Sequence, residues 1–192
     1  MDAVIVGTDF APPWSGLISG LKFRQQPASA LPLVDMLVDG ILAANRTQYA
    51  HPTPDLIVPI PLAPNRWQER GFNQAWWLAQ QVAGQLKLTN RLHANTLLRQ
   101  HDTGRLMSMK AGDRLGRIHG AFTIATEERH RVEGQHVVIV DDVMTTGATA
   151  NEASRCLLDA GAASVTGWFA TRTPAPKLSQ SKLHSVEAHP SA

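Results

Sequence analysis

Apolar positions follow two periods along this chain. Short apolar runs at 3–10 ("AVIVGTDF"), 55–62 ("DLIVPIPL"), 137–140 ("VVIV") and 164–172 ("SVTGWFATR") read as strands. Between them the apolar spacing is close to helical. Leu17, Ile18 and Leu21 share one face after Pro12 and Pro13, where the first strand stops. Over 29–46, Leu33, Met36, Leu37, Ile41 and Ala44 recur at near-helical intervals, with Pro32 tolerated in the first turn. Leu78, Val82 and Leu86 line a face within 73–88. Ala150, Ala153, Leu157 and Ala160 line another within 148–160, which Gly161 ends. Strands that alternate with helices predict an α/β fold, with a mostly parallel central sheet flanked by helices and right-handed crossovers. "APNRWQERGFNQ" (63–74) reads as a polar, basic loop, and 99–120 as a mobile basic loop of poor periodicity.

The 192 residues suit one sizeable domain over 1–172, and the Pro-, Ser-, Lys- and His-rich tail at 173–192 is expected to be disordered. Hydrophobic residues make up 43% and charged residues 18%, which is enough apolar surface for a soluble core. A net charge of +2 gives no ground for nucleic-acid or membrane binding. No apolar run is expected to cross a bilayer, and the opening residues lack a secretory signal pattern. The single cysteine, Cys156, excludes an internal disulfide and a cysteine-based zinc site, and fits a reducing cytoplasm. Its place in a helical pattern makes it a small buried residue. The eight histidines show no metal-binding spacing.

The stretch that carries chemistry is "VVIVDDVMTTGAT" (137–149). A buried strand runs into two adjacent acids, Asp141 and Asp142, and then into a hydroxyl-rich turn, Thr145-Thr146-Gly147-Ala148-Thr149, that opens a helix. In open α/β sheets, ligands bind beyond the carboxyl ends of the strands. Two carboxylates there can accept hydrogen bonds from the vicinal hydroxyls of a ribose. The N–H groups and hydroxyls of the helix start can wrap a phosphate, favoured by the helix dipole. Gly147 allows close approach. The combination describes a ribose 5-phosphate site. Taken singly, the acids and threonines are ordinary turn and cap residues; the order of the whole string favours the functional reading.

This stretch resembles the phosphoribosyl-pyrophosphate (PRPP) motif of the type I phosphoribosyltransferases. "VPIPLAPNRWQERGFNQA" (58–75) resembles the signature of their competence-protein-F-like (ComF/GntX) branch. "DFAPPWSGLISGLKF" (9–23) and "GAF" (120–122) resemble further segments of it, so the likeness spans about residues 4–172. The resemblance implies a type I phosphoribosyltransferase-like fold and transfer of ribose 5-phosphate from PRPP to a nitrogenous acceptor, with Mg²⁺ and release of pyrophosphate. It implies catalytic and ribose-binding roles for Asp141 and Asp142, 5-phosphate binding by Thr145, Thr146, Gly147, Ala148 and Thr149, and pyrophosphate binding by Arg66 and Arg70. Residues 103–119 would close over the site. No metal ligand is expected from the protein itself. The chain departs from the branch in lacking a four-cysteine module, and in carrying Leu106 and Arg117 where Gln and Asn are expected. A non-catalytic PRPP- or nucleotide-binding module, with DNA-uptake machinery left open as a partner, is the alternative. An NTPase, suggested by the Walker B-like "VVIVDD", is disfavoured because no GxxxxGK[ST] precedes it. Trp168 and Phe169 are candidates for a platform under the acceptor, although strand alternation places at least one of them in the core.

Overall fold

A computed structural model describes residues 1–23, 27–47, 52–100 and 119–174. Most of the expected closing loop, with Leu106 and Arg117, and the tail beyond 174 lie outside the described residues. Four parallel strands form the sheet: β1 (Ala3–Asp9), β2 (Leu56–Pro59), β5 (His136–Met144) and β6 (Ser164–Arg172), in the order β1-β6-β5-β2. Two further strands, β3 (Leu97–Arg99) and β4 (Phe122–Ile124), pair antiparallel. At three residues each they are too short to show a period in the sequence.

Two helices precede β2, α1 (Trp14–Phe23) and α2 (Leu31–Asn45), and two follow it, α3 (Pro64–Arg70) and α4 (Gln74–Gln85). After a single-turn helix at Arg129–Val132, helix α5 (Ala148–Asp159) joins β5 to β6, which lie side by side in the sheet. On one face, α1, α2 and α4 bury Ile18, Leu21, Leu33, Leu37, Ile41, Leu78 and Val82 against Val138, Val140 and Trp168. On the other, Ala150, Ala153 and Leu157 of α5 pack with Val137, Ile139, Val165 and Phe169. Each fully buried Leu or Ile of these clusters contributes about 1.5–3 kcal/mol of transfer free energy.

Four expectations require correction. The segment 63–74 is not a loop, because Pro64 starts α3 and Gly71 (φ +74°) ends it, its N–H donating to Trp67 O. Proline at a helix start and glycine just past its end are helix signals that the missing apolar period concealed. Strand β5 continues past Val140 to Met144, since Asp141, Val143 and Met144 stay paired with Phe169, Thr171 and Arg172. Trp168 and Phe169 are 3% and 1% exposed, one in each core, so neither offers a face to a base. Finally, Pro27–Asn45 does have the length and mean hydropathy, 1.4, of a membrane span. Its Leu33, Val34, Leu37, Val38 and Ile41 are nevertheless buried, and Asp35 accepts a hydrogen bond from Gln85 of α4, as suits a core helix.

Candidate ribose-phosphate site

Side chains of β5 alternate between the two cores as far as Val140, and Asp141 and Asp142 follow at its carboxyl end, with their carboxyl groups still within hydrogen-bonding reach of each other. Asp142 turns to the face covered by α1, α2 and α4, where Lys22 Nζ lies 2.7 Å from its Oδ2. The carboxylate is 9% exposed and the lysine 21%. The backbone carbonyl of Asp142 also accepts a hydrogen bond from the buried Thr171 hydroxyl at 3.1 Å. Lys22 was not singled out from the sequence. Its signal is a lysine four residues after the buried Ile18, on the inner side of an amphipathic helix.

Asp141 turns to the α5 face. Its Oδ1 accepts the Asp142 backbone N–H at 2.8 Å. Burial pushes its carboxyl up to about 8, with the Asp142 charge acting in the same direction and Lys22 opposing both. The group therefore holds its proton through neutral pH, and can donate as well as accept a hydrogen bond.

After Met144 the chain turns through Thr145, Thr146 and Gly147 into α5. Gly147, at φ +75°, caps the helix in a left-handed conformation that side-chain-bearing residues rarely adopt. Its carbonyl accepts the first helical bond, from Asn151 N at 2.8 Å, while Thr146 Oγ1 sits 3.4 Å from Ala148 N. A small cavity of about 40 Å³ opens at this turn, lined by Asp141, Thr145, Gly147, Ala148 and Thr149, with Phe169 behind them. One water needs roughly 10–15 Å³, so the cavity fits a group of a phosphate's size. The structure thus gathers Asp141 with most of the predicted phosphate residues. Asp142 and Thr146 do not line the cavity; Thr146 Oγ1 instead accepts from the first N–H of α5.

Arg66 and Arg70 stand on α3, which follows the carboxyl end of β2. Arg66 is exposed and pairs with Glu69 at 3.0 Å. Arg70 Nη1 donates to Gln74 Oε1 at 3.0 Å, and Arg70 lines a separate cavity with Pro27, Gly71, Phe72 and Trp77. Gln74, only 2% exposed, is a polar core residue that sequence periodicity did not reveal.

Lower on the α5 face, Glu152 is 7% exposed and accepts from Gly120 N and from Arg155 Nε and Nη2, the last two at 2.9 and 2.7 Å. Those bonds from Arg155 first, and the bond from Gly120, hold its carboxyl below the usual range against the cost of burial. Cys156 is half-buried on the same helix, and burial raises its thiol.

The chain matches the family described as the phosphoribosyl transferase domain over residues 78–182. It is 37% identical over 166 residues to "DNA utilization protein YhgH" of Salmonella typhi, covering 86% of this chain and 70% of that one. It is 32% identical over 171 residues to "Competence protein F" of Haemophilus influenzae, covering 89% and 73%. Among solved structures, it is similar to the glutamine PRPP amidotransferase of B. subtilis complexed with ADP and GMP, with a TM-score of 0.43 and 20% identity over 72% of this chain and 25% of that one. The chain therefore belongs to the type I phosphoribosyltransferase family, in the branch that contains the competence-protein-F-like proteins.

Proposed function

We propose that the protein binds PRPP through the Asp141 cavity and transfers its ribose 5-phosphate to a nitrogenous acceptor. The observation that carries this reading is the meeting of Asp141, Thr145, Gly147, Ala148 and Thr149 at the N-terminus of α5. The helix start and the hydroxyls take the 5-phosphate, and Asp141 takes the ribose hydroxyls. Asp142, paired with Lys22, fixes the end of β5. Of the two arginines of α3, Arg66, whose side chain is 39% exposed, supplies positive charge on the pyrophosphate side. In the reaction, a bond forms between the acceptor nitrogen and ribose C1. The bond from C1 to the pyrophosphate oxygen breaks, the electron pair leaves with pyrophosphate, and the nitrogen's proton passes to solvent. Positive charge gathers on the ribose in between, and favours ionisation of Asp141 beside it.

Mg²⁺ fits this site as a companion of the substrate. Among the described residues, no group of three or more His, Cys, Asp or Glu side chains could hold a metal ion. Mg²⁺ needs only one or two carboxylates when a diphosphate supplies further oxygens, and Asp141 would offer one once it ionises beside the substrate. When bound, the cation would neutralise charge on the pyrophosphate.

Calorimetric titration with PRPP and Mg²⁺ tests the reading. The parent should bind, and the double substitution Asp141→Ala/Asp142→Ala should abolish binding. Unchanged affinity in the double variant would remove the site. A second reading is supported by the relatives' names, which speak of DNA utilization and competence. In it the protein is a PRPP- or nucleotide-binding module that serves DNA uptake without turnover. Pyrophosphate release assayed across a panel of nitrogenous acceptors separates the two: binding without release favours the module.

A further inference from the structure

A second cavity, of about 390 Å³, is lined by Pro27, Arg70, Gly71, Phe72 and Trp77. Its size falls in the range of small-molecule sites, roughly 300–1,000 Å³. It belongs to the face of the sheet that carries Asp142 and Lys22. Phe72 and Trp77 are partly buried against the core of that face, and Val143, near the carboxyl end of β5, packs on the same core. The cavity and the phosphate cup thus share one end of the sheet and lie on opposite faces of it.

The cation and the rings are fixed relative to one another. Gly71 reverses the chain between Arg70 and Phe72, so that both line the same space. Buried Gln74 accepts from Arg70 Nη1 at 3.0 Å and donates from Nε2 to the Phe72 carbonyl at 3.4 Å. An amide with 2% exposure therefore ties the guanidinium to the backbone that carries the ring. Two aromatic side chains and one guanidinium suit a flat ring with an acid at its edge. Pyrophosphate suits the cavity poorly, since its charges would lie against two rings that offer it no hydrogen bond.

We propose that this cavity receives a planar aromatic ring bearing an acidic group, with the ring against Phe72 and Trp77 and the acid on Arg70. The proposal rests on the phosphoribosyl-transfer reading and names its acceptor as a heteroaromatic acid. Arg66 is then the arginine left for pyrophosphate. Aromatic faces attract flat rings through offset or edge contacts, and a guanidinium gives a carboxylate a charge-assisted hydrogen bond.

Ligand-observed saturation-transfer NMR on the full chain, with benzoate, benzamide and cyclohexanecarboxylate as probes, tests it. Benzoate should bind roughly tenfold more tightly than benzamide, through the charge-assisted bond to Arg70. It should exceed cyclohexanecarboxylate by about fivefold, through ring contacts. Arg70→Leu should erase the first preference. Phe72→Leu and Trp77→Leu, which keep apolar bulk against the core, should each reduce the second. Equal binding of the three probes, or benzoate binding indifferent to all three substitutions, overturns the proposal. Ribose 5-phosphate titrated in parallel separates the two readings. If benzoate fails while ribose 5-phosphate binds the parent, the cavity assignment alone falls. If ribose 5-phosphate fails, the acceptor role falls with the transfer reading.

Discussion

At the end of β5, one dipeptide serves two unlike environments. Asp142 faces three helices and a lysine 2.7 Å away. Asp141 faces one alanine-lined helix, a hydroxyl turn and a cavity of about 40 Å³. The crowded face balances its acid with a fixed cation, whereas the α5 face leaves its acid to burial, which keeps the proton on. The two adjacent acids are tolerable because burial and the neighbouring Asp142 keep the proton on Asp141, while Lys22 lies against Asp142. The asymmetry assigns work: Asp142 anchors the strand end, and Asp141 is poised toward the cavity.

The strongest way to break that comparison is to remove the cation from the crowded face. Lys22→Met should leave a nearly buried carboxylate without its partner. It should cost about 2 kcal/mol, a figure discounted for the lysine's partial exposure. Adding Asp142→Asn to Lys22→Met should recover most of the loss, because the uncompensated charge is then gone. Chemical denaturation of the parent, both single variants and the double variant gives the coupling. If Lys22→Met and Asp142→Asn add without interaction, the pair is incidental and the crowded face has no fixed charge to contrast with Asp141.

The α5 face makes the opposite prediction, through pH. Burial, with the Asp142 charge beside it, pushes the Asp141 carboxyl in the fold up from its ordinary 3.8 to about 8. Below about pH 4 both states hold the proton and the group is neutral in its effect. Between those values the unfolded chain releases the proton while the folded chain keeps it, so stability falls as pH rises, and levels off above about 8. Asp141→Asn removes that penalty. It should raise the Tm by about 3–6 °C at pH 9 and leave it nearly unchanged at pH 3.5. It should also weaken ribose 5-phosphate binding, the usual cost of relieving a strained ligand-facing group. A Tm difference that stays flat across pH would mean that the proton is not retained in the fold.

How much of this was legible in the sequence follows from the range over which each feature is encoded. The parallel strands and the helices α1, α2, α4 and α5 showed in their apolar periods because each buries a continuous row of side chains. Helix α3 did not, because its one large apolar residue, Trp67, is 53% exposed and leaves no inner row to read. The string from 137 to 149 announced the cup because its residues are consecutive and local geometry carries them to one place. The ion pair of Lys22 with Asp142 joins residues 120 positions apart in sequence and could emerge only from tertiary packing. The split of the acidic pair was readable in principle. Alternation as far as Val140 puts the next even position, Asp142, on the side of α1 and its Lys22, and ending the strand at Val140 hid it. The cavity of Arg70, Phe72 and Trp77 needed the reversal at Gly71 and the buried Gln74, neither of which leaves a periodic trace.

The smallest effect falls on Glu152, the second acid of the α5 face, and its pH sign is opposite to that of Asp141. Hydrogen bonds from Arg155 and Gly120 favour the charged form and lower its pKa from the usual 4.5. Stability from this group is therefore complete above its unfolded value, and is lost as pH falls through the lowered folded value. Glu152→Gln keeps an acceptor for the Gly120 N–H but gives up the charge that faces Arg155. Because Arg155 is 40% exposed and is also paired with Asp159, the loss at neutral pH should be modest, about 1 kcal/mol. At pH 3 the parent should approach the variant, as its own carboxylate takes up a proton. Paired melting curves of Asp141→Asn and Glu152→Gln from pH 3 to 9 should therefore diverge from the parent in opposite directions: Asp141→Asn rising above it as pH increases, and Glu152→Gln falling below it. Were both variants to move the same way, the two carboxylates would share one electrostatic environment, and the α5 face would not distinguish a ligand-facing acid from a structural one.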